Sequence, residues 1–108
     1  MTPAEELARI LGAPTSEVDG TKLVPMLCER AEASAAVLSR AGWLFELKLD
    51  GVRILADRRG DRVALSYRRG RDATRSYPEI AGALRTLADE RIVLDGELVA
   101  FDERGRPD

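Results

Sequence analysis

The sequence predicts an α+β fold, with a mainly antiparallel sheet and flanking helices, on three observations. Short runs of alternating apolar and polar residues recur between Trp43 and Arg68. Turn signals at Asp50-Gly51 and Gly60-Asp61 separate them, and an apolar stripe of helical period follows Pro78. A chain of 108 residues fits one small domain and is too short for two independent cores. Its 44% hydrophobic and 33% charged residues describe a globular chain rather than a disordered one.

Each element has a local reason. Thr2-Pro3-Ala4-Glu5 opens a helix, with Thr2 as N-cap, Pro3 at the first helical position and Glu5 completing a capping box. Leu7, Ile10 and Leu11 form its stripe, and Gly12 ends it. Asp19-Gly20 and Pro25 punctuate an irregular lead-in from Ala13 to Met26, expected to lie over the domain. The alanine-rich run from Glu29 to Arg40 has the propensity for a second helix.

Trp43 to Leu49 reads as a strand that turns Trp43, Phe45, Leu47 and Leu49 to a core and Glu46, Lys48 and Asp50 the other way. A second strand follows from Val52 to Asp57, then a turn over residues 58–61 and a third strand from Arg62 to Arg68, which makes a meander. Residues 69–76 form a polar loop. The helix from Pro78 carries Ile80, Ala81, Leu84, Leu87 and Ala88 on one stripe. Ile92–Asp95 and Glu97–Phe101 are expected as a last apolar pair interrupted by Asp95-Gly96, and residues 102–108 read as a hairpin loop. A chain that stops inside a loop, with no strand to return to, reads as interrupted.

Composition narrows the chemistry. The chain has no histidine, which excludes Ser-His-Asp and Cys-His nucleophile systems and histidine-ligated zinc. The single cysteine, Cys28, cannot form an internal disulfide, and no signal peptide or long apolar run appears, so the expected compartment is the cytoplasm, with no membrane partner. The net charge of -2 hides an asymmetry: residues 46–75 carry nine basic and five acidic groups. Arg58, Arg59, Arg62, Arg68, Arg69, Arg71 and Arg75 form a local basic patch that could meet phosphates or simply be a solvated hairpin. Fifteen arginines stand against two lysines, Lys22 and Lys48. Only a lysine amine can be deprotonated by its surroundings and act as a nucleophile.

Around Lys48 the residues Glu46, Asp50 and Arg53 gather two carboxylates and a guanidinium within eight positions. Taken singly they are bland: Asp50-Gly51 is an ordinary turn signal, and Glu46 beside Lys48 is at most a surface ion pair worth under about 1 kcal/mol. Together, Glu46-x-Lys48-x-Asp50-Gly51-x-Arg53 resembles the nucleotidyl-transfer motif of the ATP-dependent DNA ligases and their relatives, the capping enzymes and RNA ligases. Tyr67–Thr74 followed by Tyr77-Pro78-Glu79-Ile80 resembles the next ligase motif, in the form found in the bacterial ligase-D group. Val93–Val99 resembles the third, and Val24-Pro25-Met26-Leu27 the short segment that precedes the domain.

The resemblance implies a partial ATP-grasp-like nucleotidyltransferase domain. Residues 1–23 would be an N-terminal helix and lead-in, and residues 24–108 the front half of an adenylation domain. Lys48 would attack the α-phosphorus of ATP, expel pyrophosphate and carry AMP as a phosphoramidate; burial and nearby cationic or metal charge would lower its pKa. Glu46 matches the adenine-contacting acid, Arg53 the arginine on the ribose and nucleotide, and Glu97 the acid that contacts ribose and helps place the metal. Asp50 would orient the lysine or the metal, and Arg68 would engage the 5'-phosphate of nicked double-stranded DNA. Magnesium, or manganese in its place, would neutralise charge on the phosphates.

The sequence departs from the family pattern in Tyr67, where serine is usual, and Arg69, where asparagine is common. No lysine follows Lys48, so the lysine pair that holds the α-phosphate, a further metal-binding acid and the OB-fold are expected in a missing C-terminal half. Loss of that pair should lower the rate by several powers of ten. Two other functions stay open at this point: a catalytically inactive module binding ATP or nucleic acid, and an RNA ligase or capping relative.

Overall fold

The computed structural model describes residues 1–14, 16–32 and 34–108; Thr15, in the expected lead-in, and Ala33, in the expected second helix, lie outside the described residues. Helix α1 (Pro3–Leu11) starts as its residues dictate. The Thr2 hydroxyl accepts from the Glu5 amide at 3.2 Å, the Glu5 carboxylate accepts from the Thr2 amide at 2.7 Å, and Gly12 ends the helix at φ 63°. A 3-10 turn over Gly20–Lys22 follows, capped by Asp19.

Three strands form the sheet: β1 (Val52–Arg59), β2 (Arg62–Tyr67) and β3 (Arg91–Leu98), in the order β2-β1-β3 with both pairings antiparallel. Gly60-Asp61 connects β1 to β2. Gly60 takes φ 59° at the first turn position, which matches the twist of the strands it joins.

The central strand divides its side chains between two faces. On one, Ile54 and Ala56 join Val63 and Leu65 of β2 in a core completed by Ala73 and Ala81. Helix α3 (Pro78–Leu84) lies over this face, bringing Ile80 and Leu84, and the rings of Tyr67 and Tyr77 meet edge to face at 6.3 Å. Leu65 is fully buried, worth about 2 kcal/mol relative to exposure. On the other face stand Arg53, Asp57 and Arg59, with Asp95 and Glu97 of β3 in register beside them. The lead-in crosses that polar face. The Val18 carbonyl accepts from Arg59 at 2.9 Å, the Gly20 amide donates to Asp57 at 2.6 Å, and the Met26 carbonyl accepts from Arg53 at 3.2 Å.

Four expectations need correction. Residues 43–50 form no strand: among the described residues no neighbour offers them a ladder. Leu44 and Leu47 are 98% and 87% exposed, and Trp43 and Phe45 are more than half exposed, so this stretch contributes nothing to the core. The radius of gyration, 16.7 Å, exceeds the ~13 Å of a compact chain of this length accordingly. Asp50-Gly51 is therefore not a hairpin turn. Nor does Asp95-Gly96 interrupt the last strand, because Leu55 and Ile54 of β1 pair with these two residues and hold β3 straight through. Of the helix expected over residues 29–40 only α2 (Ala35–Leu38) forms, capped by Ser34; none of its residues is buried, and propensity alone does not sustain so short a helix.

Arg58, on the core face, is buried, and among the described residues it has no carboxylate partner. Its guanidinium donates instead to the carbonyls of Gly60, Leu87 and Asp89 at 2.7–2.9 Å, tying the β1–β2 turn to the chain leaving α3. Arg58→Met keeps the apolar stem and removes all three bonds. It is expected to cost about 3 kcal/mol, which lowers the midpoint of thermal unfolding by roughly 15 °C. Denaturant melts showing a loss below about 1 kcal/mol would contradict this account. No helix among the described residues is long and apolar enough to cross a membrane.

Candidate active site

The polar face of the sheet gathers charge because β1 and β3 are in register there. Arg53 sits opposite Glu97 and one step from Asp95. It grips Asp95 with a two-pronged fork, Nε to Oδ1 at 2.6 Å and Nη2 to Oδ2 at 2.7 Å, and gives a further bond to the Met26 carbonyl. The fork holds the Asp95 carboxyl below the usual carboxylate range and raises the pKa of Arg53. Asp95 thus stabilises the fold above the ordinary carboxylate pKa, and loses that contribution only as pH falls through its lowered value.

Glu97 turns to the start of β1, where its Oε1 accepts from the Gly51 amide at 3.1 Å. Close approach to β3 explains Gly51 better than a turn does. A Cβ on Gly51 would fall within the envelope of the Leu98 carbonyl oxygen and 2.9 Å from its carbon, so the backbones meet too closely for any side chain.

These groups border an open cleft of about 830 Å³. Leu27 and Cys28 of the lead-in line it, with Gly51, Val52 and Arg53 of the β1 start, Glu97, and Tyr67, Arg68, Arg69 and Arg71 from the end of β2. Arg71 lies over the Tyr67 ring at 5.0 Å. Asp95 neutralises Arg53, whereas among the described residues Arg68, Arg69 and Arg71 take part in no ion pair. Three guanidiniums against one carboxylate leave the cleft positive, a setting suited to phosphates.

Arg53, Glu97 and Arg68 thus line one cleft. Glu46 and Lys48 do not line the cleft. Lys48 pairs with Asp50, both side chains being largely exposed. Its pKa is raised, first by the hydrogen bond to Asp50, then by that residue's charge, with Glu97 adding a smaller pull. The lowered pKa expected of a buried nucleophile is not found, because residues 43–50 stand in water and the nearest charges are acidic.

Among the described residues no three acids, histidines or cysteines cluster as a metal cage. A magnesium ion carried on phosphates needs only one or two carboxylates, and Glu97 is the one on the cleft. Two contributors escaped the motif reading. Asp95 was legible as the residue two before Glu97, hence on the same strand face; the Met26 carbonyl, a backbone group, had no signal in the sequence.

The family model for the ATP dependent DNA ligase domain matches residues 25–107. The chain belongs to the ATP-dependent DNA ligase family. Within that family it is 41% identical over 85 residues to the multifunctional non-homologous end joining protein LigD of Mycobacterium bovis, covering 79% of this chain and 11% of that protein. It is 38% identical over 91 residues to a DNA ligase of Thermococcus onnurineus, covering 82% of this chain and 16% of the other. Among solved structures, the ligase domain of M. tuberculosis LigD superposes with a TM-score of 0.53 at 41% identity, over 58% of this chain and 21% of that one. A mycobacterial DNA ligase D complexed with ATP and MES matches with a TM-score of 0.52 at 42% identity, over 57% of this chain and 21% of that one. This ligase-family chain therefore shares the fold of the LigD ligase domain and spans about a fifth of the solved chains.

Proposed function

We propose that the cleft is the nucleotide half of a DNA ligase adenylation site and that residues 24–108 are the front half of that domain. The observation that carries the reading is the convergence of Arg53, Glu97 and the arginines 68, 69 and 71, which form no ion pair among the described residues, on one positive cleft. The match to a ligase solved with ATP supports ATP as the nucleotide. Arg53 and Glu97 contact the nucleotide, Glu46 accepts from the adenine amino group, and Arg68 binds the 5'-phosphate at a nick in double-stranded DNA. Glu97, with Asp50 as a second candidate, would hold a magnesium ion, which would offset the charge of the phosphates. The setting is the cytoplasm, on chromosomal DNA.

In the reaction the amine of Lys48 loses its proton and its nitrogen forms a bond to the α-phosphorus. The bond from that phosphorus to the bridging oxygen breaks, and pyrophosphate leaves with the electron pair. Lys48, which does not line the cleft, would have to turn into it to reach the nucleotide. The missing lysine pair, metal acid and OB-fold would come from the rest of a longer ligase.

The test is incubation with α-labelled ATP and magnesium, for this chain and for a longer version. A covalent, acid-labile label from α-labelled but not γ-labelled ATP is expected on the longer version; its absence there sinks the assignment. One observation favours a second reading, a non-catalytic module that binds ATP or nucleic acid: Lys48 is exposed and held protonated by Asp50. Sealing of nicked DNA by the 108 residues alone would refute it.

A further inference from the structure

We propose that Asp57 is a positioning residue for the cleft: through its bond to Gly20 it fixes the lead-in, and so the place of Leu27 and Cys28 and of the carbonyl that steadies Arg53. Its relevance to nucleotide binding rests on the reading above; the positioning itself does not.

Asp57 is a buried carboxylate whose partners lie in the lead-in and on its own strand. Its Oδ2 accepts from the Gly20 amide at 2.6 Å, and its Oδ1 from Arg59 Nε at 3.3 Å. Arg59 in turn holds the Val18 carbonyl at 2.9 Å. Gly20 is itself buried, and a Cβ there would sit 2.6 Å from Asp57 Oδ2 and 3.0 Å from Val93 Cγ2, so only glycine brings its amide this near. The chain then runs antiparallel to β1 and arrives at Arg53, four residues and ~13 Å from Asp57 along the strand.

Between these two points the lead-in has little else to hold it. Pro25 is buried, but Val24 and Met26 on either side are 86% and 85% exposed. Met26 lies six residue steps beyond Gly20, a span that could extend to ~20 Å, so a released lead-in could drift several ångströms. Leu27 and Cys28, which line the cleft, would drift with it, and Arg53 would lose its third acceptor. The anchor thus lies on the far part of the strand and acts on the cleft through the chain between.

Cys28 is the only cysteine and is exposed, which makes it a natural reporter. A nitroxide on Cys28 reads the mobility of the cleft edge, and the Nε–H resonance of Arg53 reads the acceptor geometry. Gly20→Ala and Asp57→Ala are each expected to raise the mobile fraction of the spectrum about threefold and to shift the Arg53 signal. Asp57→Asn keeps an acceptor oxygen for the Gly20 amide and should stay near the parent in both. Val63→Ala, which loosens the opposite face of the sheet, should leave both readouts unmoved at a comparable loss of stability. Should Asp57→Ala and Gly20→Ala behave like Val63→Ala, the proposal fails. Neither readout uses nucleotide, so failure of the adenylation reading would be seen separately, as a missing label with these spectra changed as expected.

Discussion

Lys48→Ala is expected to abolish covalent labelling by α-labelled ATP, a loss of at least about a thousandfold, in whichever length of chain the parent is labelled. No other side chain can form the phosphoramidate. Arginine stays protonated at any working pH, the chain has no histidine, and Lys22 lies in the 3-10 turn beside Asp19 at 3.6 Å. Lys48→Arg should be equally inert although it keeps the charge, which separates nucleophilicity from electrostatic attraction. Surviving label in either variant would remove Lys48 from the mechanism.

The same residue sets a pH dependence. Only the neutral amine attacks, and Asp50 raises the pKa of Lys48, so labelling should climb with pH towards the alkaline side. Asp50→Asn removes the hydrogen-bonded negative charge, lowers the lysine pKa and moves the rising limb of the profile to lower pH. A profile that falls in height without moving along the pH axis would assign Asp50 to the metal or to orientation instead.

Gly51→Ala should be the most damaging single-methyl change to stability, at about 3 kcal/mol. The obstacle is backbone: the added carbon meets the Leu98 carbonyl and lies 3.1 Å from Val99 Cγ2. Relief requires the start of β1 to peel from the end of β3, which breaks the Val52–Leu98 pairing and the bond from the Gly51 amide to Glu97. Gly96→Ala offers the control, since nothing lies within 4 Å of its added carbon, and it should change stability by less than about 1 kcal/mol. Equal melting of the two variants would show that Gly51 is not set by close approach.

What was legible in the sequence was what local chemistry decides. The capping box of α1, the glycine turn between β1 and β2 and the alternation of Val63 and Leu65 each rest on neighbours a few residues away. Failures came where a partner far along the chain decides. The alternation from Trp43 to Leu49 is as regular as any, yet with no strand beside it the pattern has nothing to pair with. Asp50-Gly51 and Asp95-Gly96 share a turn signature; the first answers to a carbonyl 47 residues on, the second to a ladder with Ile54 and Leu55. Of the motif residues, Arg53 and Glu97 share one cleft because strand register joins them, and Arg68 reaches it from the residue that follows β2. Lys48 stays outside, since motif spacing along residues 43–50 does not dictate where an unpaired segment lies.

The division of β1 into two faces has a consequence for how this strand can change. Its even-numbered members, Ile54 and Ala56 among them, belong to the core, and its odd-numbered members, Arg53 and Asp57, to the cleft and its anchor. Deleting or inserting one residue within Val52–Arg59 would exchange the two sets beyond that point, sending a guanidinium into the apolar layer or an isoleucine to the cleft. A substitution there acts at one position, whereas a change of length acts on every position beyond it. Variation in length among family members is therefore expected to collect at Gly60-Asp61, where an added residue alters the turn and leaves the parity of the strand intact.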